Sequence, residues 1–199
     1  MKTILSLAAL GLATVAPTAA LAQQAPPAVV VVVDGSRIYR DCTACKTAQT
    51  QLQARVTALT TRQRTLSNQL RTESQPIEAA VRALNGAQPD AALRTRITAF
   101  QTKQDQANQE LQRSQENLQS IQANVLRQIN ARFNPVMTQV MTARGANIAV
   151  DVSNTLAHSG TVDVTAAVLA GLNAALTSVT LTPLPANAQQ QPPARPAGR

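Results

Sequence analysis

The chain has 199 residues, 18 Lys and Arg against 10 Asp and Glu for a formal charge of +8, and an aromatic content of 2%, with no Trp, one Tyr and two Phe. So few aromatic side chains exclude an ordinary large globular core, and the abundant Ala, Gln, Thr and Arg fit long exposed helices instead. The basic excess points to acidic partners such as anionic lipid, nucleic acid or acidic polypeptide.

The chain opens on a leader. Lys2 supplies a basic start, Ile4 to Val15 an apolar stretch, and Ala20-Leu21-Ala22 a small-x-small cleavage site. Residues 1–22 therefore read as a secretory signal peptide, too short and wrongly flanked for a membrane span. The mature chain is expected to start at Gln23, to be soluble, and to be exported, most simply to a bacterial periplasm. That destination makes nucleic acid the least suitable of the three partners. No later stretch approaches the roughly 20 apolar residues that a span needs.

After a Pro-rich lead-in, the five valines Val29 to Val33 predict a strand covered on both faces. Asp34-Gly35-Ser36 closes it, with Ser36 the expected N-cap of a short helical turn that contains Ile38 and Tyr39. Cys42-Thr43-Ala44-Cys45 then opens the first long helix. Its seam is Leu52, Val56, Leu59, Gln63, Leu66, Leu70, Glu73 and Ile77, a coiled-coil register that is clear but weakened by two polar members. Pro76 is expected to bend this limb or interrupt its hydrogen-bond ladder. Frequent threonines, among them Thr57, Thr60, Thr61 and Thr65, lower its helix propensity further.

Asn85-Gly86-Ala87-Gln88-Pro89-Asp90 is the turn at the tip. Gly86 suits the left-handed end of one helix, and Pro89 or Asp90 the first turn of the next. The returning limb carries Leu93, Ile97, Phe100, Ala107, Leu111, Leu118, Ile121 and Val125. With Leu84 facing Leu93, Leu52 falls opposite Val125. At 1.5 Å per residue, a limb of roughly 40 residues makes an arm of about 60 Å. Asn134-Pro135 is expected to kink the second limb and hand the chain back to the body.

Gly145 ends that helix, Asn147 to Val152 reads as a strand, and Ser153-Asn154 turns into a second short strand around Thr155 to Ala157. His158 falls in a surface loop. Asp163 is the expected N-cap of a short helix with Val164, Val168, Leu169 and Leu172. Residues 181–199, rich in Pro, Ala and Gln, read as a disordered tail.

The expected fold is thus α+β but mainly α. A helical-hairpin arm over 44–133 stands on a small β/α body built from 23–43 and 134–180. Three strands per chain would leave open edges and little core. A symmetric oligomer whose strands close into one barrel removes both problems.

This order of parts resembles the periplasmic chaperone family called Skp or OmpH. The likeness rests on Val31-Val32-Val33-Asp34 before a Gln- and Arg-rich hairpin, on Asn147-Ile148-Ala149-Val150-Asp151 after it, and on Val162-Asp163-Val164-Thr165 with Val168-Leu169 and Leu172-Asn173. It implies a homotrimer with a small β-barrel body and three helical arms. It also implies an ATP-independent holdase that keeps unfolded outer-membrane β-barrel proteins between those arms, with lipopolysaccharide or other anionic lipid as a further partner. Cys42-x-x-Cys45 and the Pro-rich tail depart from the family pattern.

Two constellations carry candidate chemistry. Arg62, Arg64, Arg71, Arg82, Arg94 and Arg96 crowd the outer half of the arm, opposed there by Glu73, Glu78 and Asp90. They would attract acidic clients or anionic lipid, or form a solvated helix face. Cys42 and Cys45 have the spacing of a redox centre at a helix start, but no βαβ context surrounds them. A local structural disulfide, a cycling thiol pair and a metal site remain open, although two thiols without nearby ligands make a poor metal site. No paired catalytic carboxylates, nucleophile with its base, phosphate loop or cofactor motif is found, so an enzyme is not expected. The competing functions are a structural coiled-coil adaptor of the cell envelope and a thiol–disulfide protein.

Overall fold

The computed structural model describes residues 26–185, a mixed α+β fold dominated by two long helices. The leader assigned to 1–22 and the tail from 186 onward lie outside the described residues.

Strand β1 (Val30–Val33) buries three of its four valines and pairs in parallel with β2 (Ile148–Asp151), Val30 opposite Ile148 and Val33 opposite Asp151. Parallel neighbours need a long crossover, and here the entire helical arm is that crossover. The second short strand expected around Thr155 to Ala157 does not form. Asp151 Oδ1 accepts from Ser153 N at 2.9 Å and from Ser153 Oγ at 2.6 Å, which curls Val152–Asn154 into a 3-10 turn. The far edge of β1 is met instead by residues 162–164. Val32 N donates to Val162 O at 2.8 Å, and Val164 N to Val32 O at 2.9 Å. β1 is therefore the middle row of the body.

Helix α1 (Gly35–Asp41) is capped by Asp34 rather than by Ser36: Arg37 N donates to Asp34 Oδ1 at 2.7 Å. The helix starts two residues earlier than expected because Gly35 lets it close on the end of β2. Gly35 N donates to Asp151 Oδ2 at 3.1 Å, and a Cβ at position 35 would lie 2.8 Å from that oxygen. Bonds from the Ser153 hydroxyl, then from the Ser153 and Gly35 amides, hold the Asp151 carboxyl below the usual carboxylate range. Both strand-ending aspartates, Asp34 and Asp151, are thus joint residues of the body.

Helices α2 (Thr43–Ala83) and α3 (Ala91–Ala143) form the arm. Pro76 and Pro135 each lie inside an unbroken helix, so neither divides its limb. Each proline forfeits one backbone bond. Around Pro135, burial of Val136 and Met137 against the body offsets the loss. At the tip, Asn85 (φ 47°) and Gly86 (φ 91°) both turn left-handed, and Asp90 Oδ1 caps α3 by accepting from Leu93 N at 2.7 Å. Leu52 and Val125 wall one pocket and Leu59 and Leu118 another, which agrees with the facing pairs counted from the tip.

Helix α4 (Thr165–Ala175) closes the body. Asp163 Oδ1 accepts from Thr165 N at 2.8 Å, one residue ahead of the assigned cap Val164, while Thr165 Oγ1 accepts from Asp34 N at 2.9 Å. One core unites β1, α1, α4 and the root of the arm; Val31, Ile38, Ile121, Val136, Val168 and Leu172 belong to it. Farther out, Leu66, Leu93 and Ala107 are the buried apolar members of the arm, and they stand apart from that core. Residues 181–185, expected to open the disordered tail, are instead tied to α3: Asn124 Nδ2 donates to Thr182 O and Leu184 N to Ser120 Oγ, both at 2.8 Å. Among the described residues, no helix is long and apolar enough to cross a membrane.

Candidate functional site

The six arginines of the arm are all exposed, but they do not make one patch. From Arg62 to Arg82 the first limb advances by about 30 Å. Arg82 on α2 and Arg94 and Arg96 on α3 gather near the tip, with Arg71 lower on the arm and Arg64 and Arg62 lower still. Their engagement differs as well. Arg62 forks onto Glu110 of the opposite limb, Nε to Oε1 at 2.6 Å and Nη2 to Oε2 at 2.9 Å. This bidentate bond lowers the pKa of Glu110 and raises that of Arg62. Arg62 is therefore a clamp between limbs, a role its position in the chain did not reveal.

Lys103 does the same farther out, its Nζ 2.6 Å from Oε2 of Glu73. Glu73, a polar member of the seam, thus has an ionic partner across the hairpin. Arg82 lies 3.9 Å from Glu78 within its own helix, and Arg71 Nη2 bonds Asn68 Oδ1 at 3.3 Å. Arg64, Arg94 and Arg96 enter no ion pair among the described residues. Of the six they are the ones left to something outside the arm, and Arg55, Arg113 and Arg132 nearer the body are likewise exposed and in no ion pair. Nearer the body, a shallow groove of about 340 Å³ has Leu59, Leu118 and Ile121 on its floor and Arg55 and Arg62 at its rim.

Cys42 and Cys45 are joined as a disulfide, Cα atoms 5.1 Å apart, where α1 ends and α2 begins. Both are at most 1% exposed. Cys42 N donates to Ile38 O, and Cys42 Sγ accepts from Cys45 N at 3.3 Å, so the bridge sits inside the capping of α2. Exchange with an outside thiol requires access to a sulfur, and this site offers little. Close by, Tyr39 stacks on Phe133 with ring centres 6.3 Å apart and donates its hydroxyl to Asn130 Oδ1. Partial burial raises the Tyr39 pKa. A structural role for the bridge predicts that Cys42→Ala with Cys45→Ala lowers the unfolding free energy by about 2 kcal/mol, the loop-closure value for so short a loop. Urea melts of the two proteins measure this; equal midpoints would remove the structural role.

Among the described residues, no group of three or more His, Cys, Asp and Glu could hold a metal ion. His158 is exposed, its Nδ1 3.3 Å from Ser159 O. The side chains that sequence reading missed are polar ones on the root of α3, namely Ser120, Asn124 and Gln128, which hold residues 180–184. The alternation in Val179-Thr180-Leu181-Thr182 was the available signal for their partner.

A parallel sheet that brackets a long helical crossover, with α4 packed on α1 and α3, can be compared with known proteins. The model of the family described as outer membrane protein (OmpH-like) matches residues 29–172. The chain belongs to the OmpH-like family. Its fold is also that of a crystal structure from Caulobacter crescentus CB15, named as a candidate outer membrane chaperone (OmpH-like). The two share 18% identity at a TM-score of 0.65, over 82% of this chain and 96% of that one. None of the curated proteins compared matches the chain. In this OmpH-like chain the matched span takes in β1, the whole arm, β2 and most of α4, and stops before the segment that returns along α3.

Proposed function

We propose that this OmpH-like protein is an ATP-independent periplasmic holdase that encloses unfolded outer-membrane β-barrel proteins between its arms and prevents their aggregation. The observation that carries this reading is the arm itself. Its 41-residue first helix spans about 60 Å and is wet on most of its faces, and the returning helix carries the unpaired Arg94 and Arg96 near the tip. Such a rod has no interior for catalysis and a large surface for many weak contacts. Each contact binds poorly alone, and together they hold a flexible chain.

Capture needs more than one arm, and the body supports assembly. β2 is an edge strand whose Ile148 is 43% exposed, an apolar edge open to pairing. In the proposed homotrimer, three such sheets close into a barrel and direct three arms to one side. The arginines draw in acidic clients, and they suit the phosphates of lipopolysaccharide or another anionic lipid for the same reason. The disulfide serves the root of the arm and takes no part in turnover.

The test is dilution of a urea-denatured outer-membrane β-barrel protein into buffer with and without the purified protein, light scattering being followed in the absence of ATP. Scattering is expected to be suppressed at about one trimer per client. Undiminished aggregation at severalfold excess would overturn the holdase reading and leave the family assignment untouched.

A further inference from the structure

Beyond residue 172, where the family match ends, the described residues up to 185 stay on the molecule. After Leu176 the chain turns and climbs α3 from root toward tip, opposite to the helix direction. Three side chains on successive turns of α3 hold it. Gln128 Oε1 accepts from Thr180 N at 3.0 Å while Gln128 Nε2 donates to Thr180 O at 2.9 Å, so one amide satisfies both backbone groups of a residue, as a neighbouring strand would. Asn124 Nδ2 donates to Thr182 O at 2.8 Å, and Ser120 Oγ accepts from Leu184 N at 2.8 Å. Asn124 is 4% exposed, and Arg127 Nη2 donates to its Oδ1 at 3.0 Å, which fixes the face of the amide turned to the segment.

The spacing has a physical basis. Four residues of helix rise by about 6.0 Å, and two residues of extended chain by about 6.6–6.8 Å. Every second residue of a strand therefore meets every fourth residue of a helix, with a slip below about 1 Å per step. Side chains of graded length, Gln then Asn then Ser, absorb that slip. Each of these four bonds is made to backbone, which any polypeptide offers. Val179, just before the first contact, and Leu181, between the first two, pack onto the edge of the core. Val179-Thr180-Leu181-Thr182 thus alternates apolar and polar, the pattern of a strand that spans the outer membrane in a β-barrel.

We propose that the Ser120–Asn124–Gln128 face of α3 is a binding site for extended polypeptide of alternating polarity, and that residues 179–184 occupy it as an internal stand-in for a client strand. The nature of the client rests on the holdase reading above; the site rests on these contacts. A tethered segment has an effective concentration in the millimolar range, so a free peptide competes poorly. A client already held by other contacts competes from a similar footing. The site then opens only to a captured chain.

Two full-length variants release the segment and leave the α3 face intact. Thr180→Pro removes the N–H that Gln128 accepts, and Val179 before it stays extended. Leu181→Asp strips the apolar anchor. The probe is a fluorescein-labelled peptide with the sequence of residues 177–185, followed by anisotropy, with circular dichroism to check that helicity is kept. Both variants are expected to bind the peptide at least about 10-fold more tightly than the parent. Gln128→Ala added to either should abolish the gain, and a urea-denatured β-barrel protein should displace the bound peptide. The proposal is overturned if neither released variant gains affinity, or if the denatured protein leaves the peptide in place. That second result makes the segment a strap only, and the holdase reading would still stand on the parent's suppression of aggregation.

Discussion

Leu172→Ala lowers the unfolding free energy by about 2–5 kcal/mol, the range for a fully buried leucine whose cavity cannot collapse. Leu172 is 0% exposed and shares the core with Ile38 on α1, with Val136 and Met137 on α3, and with Val164 and Val168. β1, α1, α4 and the roots of α2 and α3 all contribute to that cluster, so no single neighbour can move in to fill the space. Domains of this size are stable by only about 5–15 kcal/mol, and the loss is a large share of the whole. Leu66→Ala is the instructive contrast. Leu66 is also buried, but it stands outside the continuous core on a two-helix arm where water and a small limb shift can relieve the cavity. Urea unfolding of both variants is expected to rank Leu172 well above Leu66. Native-state hydrogen exchange should show the arm opening at lower free energy than the body. Equal costs would mean that the arm, and not the body, holds the fold together.

That division between body and arm also separates what was legible in the sequence from what was not. The arm was legible because its signals are local. Leucines spaced by three and four define the seam, and Gly86 and Asp90 mark the ends of two helices within five residues of each other. Counting from that turn puts Leu52 against Val125 and Leu59 against Leu118, as observed. The joints of the body were harder because they join residues more than a hundred positions apart. Nothing near Asp151 in the chain says that its second oxygen will accept from Gly35 N. The turn at Ser153-Asn154 was legible, and the strand expected after it did not form. The third row of the sheet went to Val162 and Val164, whose alternate spacing was visible but lay next to a strong helix-cap signal at Asp163. Both prolines were read by local rule: each takes one bond out of the ladder, and the helix nevertheless runs on through it. The end of the chain was judged on its Pro, Ala and Gln content, which hid four alternating residues ahead of the first tail proline. In the basic set, local sequence could not distinguish Arg62, held by Glu110 across the hairpin, from Arg64 two residues on.

That distinction sets the last prediction. Changing Arg64, Arg94 and Arg96 together to Glu takes the formal charge from +8 to +2, since each exchange removes two units. None of the three enters an ion pair among the described residues, and all are exposed, so little structure is lost with them. Glu forms helices about as well as Arg. Arg94 sits just after the N-terminus of α3, where the helix dipole disfavours a cation and favours an anion. The triple variant should therefore melt within about 0.5 kcal/mol of the parent, which leaves charge as the variable. The association rate with an unfolded β-barrel client is expected to fall by about 10–100-fold at low ionic strength, within the range known for electrostatic steering. The parent should lose the same advantage in about 1 M salt, where the screening length contracts to about 3 Å. Stopped-flow measurement of both proteins across a salt series makes the comparison. Arg62→Glu would be a poor substitute, because it would set two carboxylates against each other across the hairpin and confuse attraction with a broken clamp. If the parent captures clients equally fast at every salt concentration, the arginines are a solvating face of the arm, and capture depends on its apolar and backbone contacts alone.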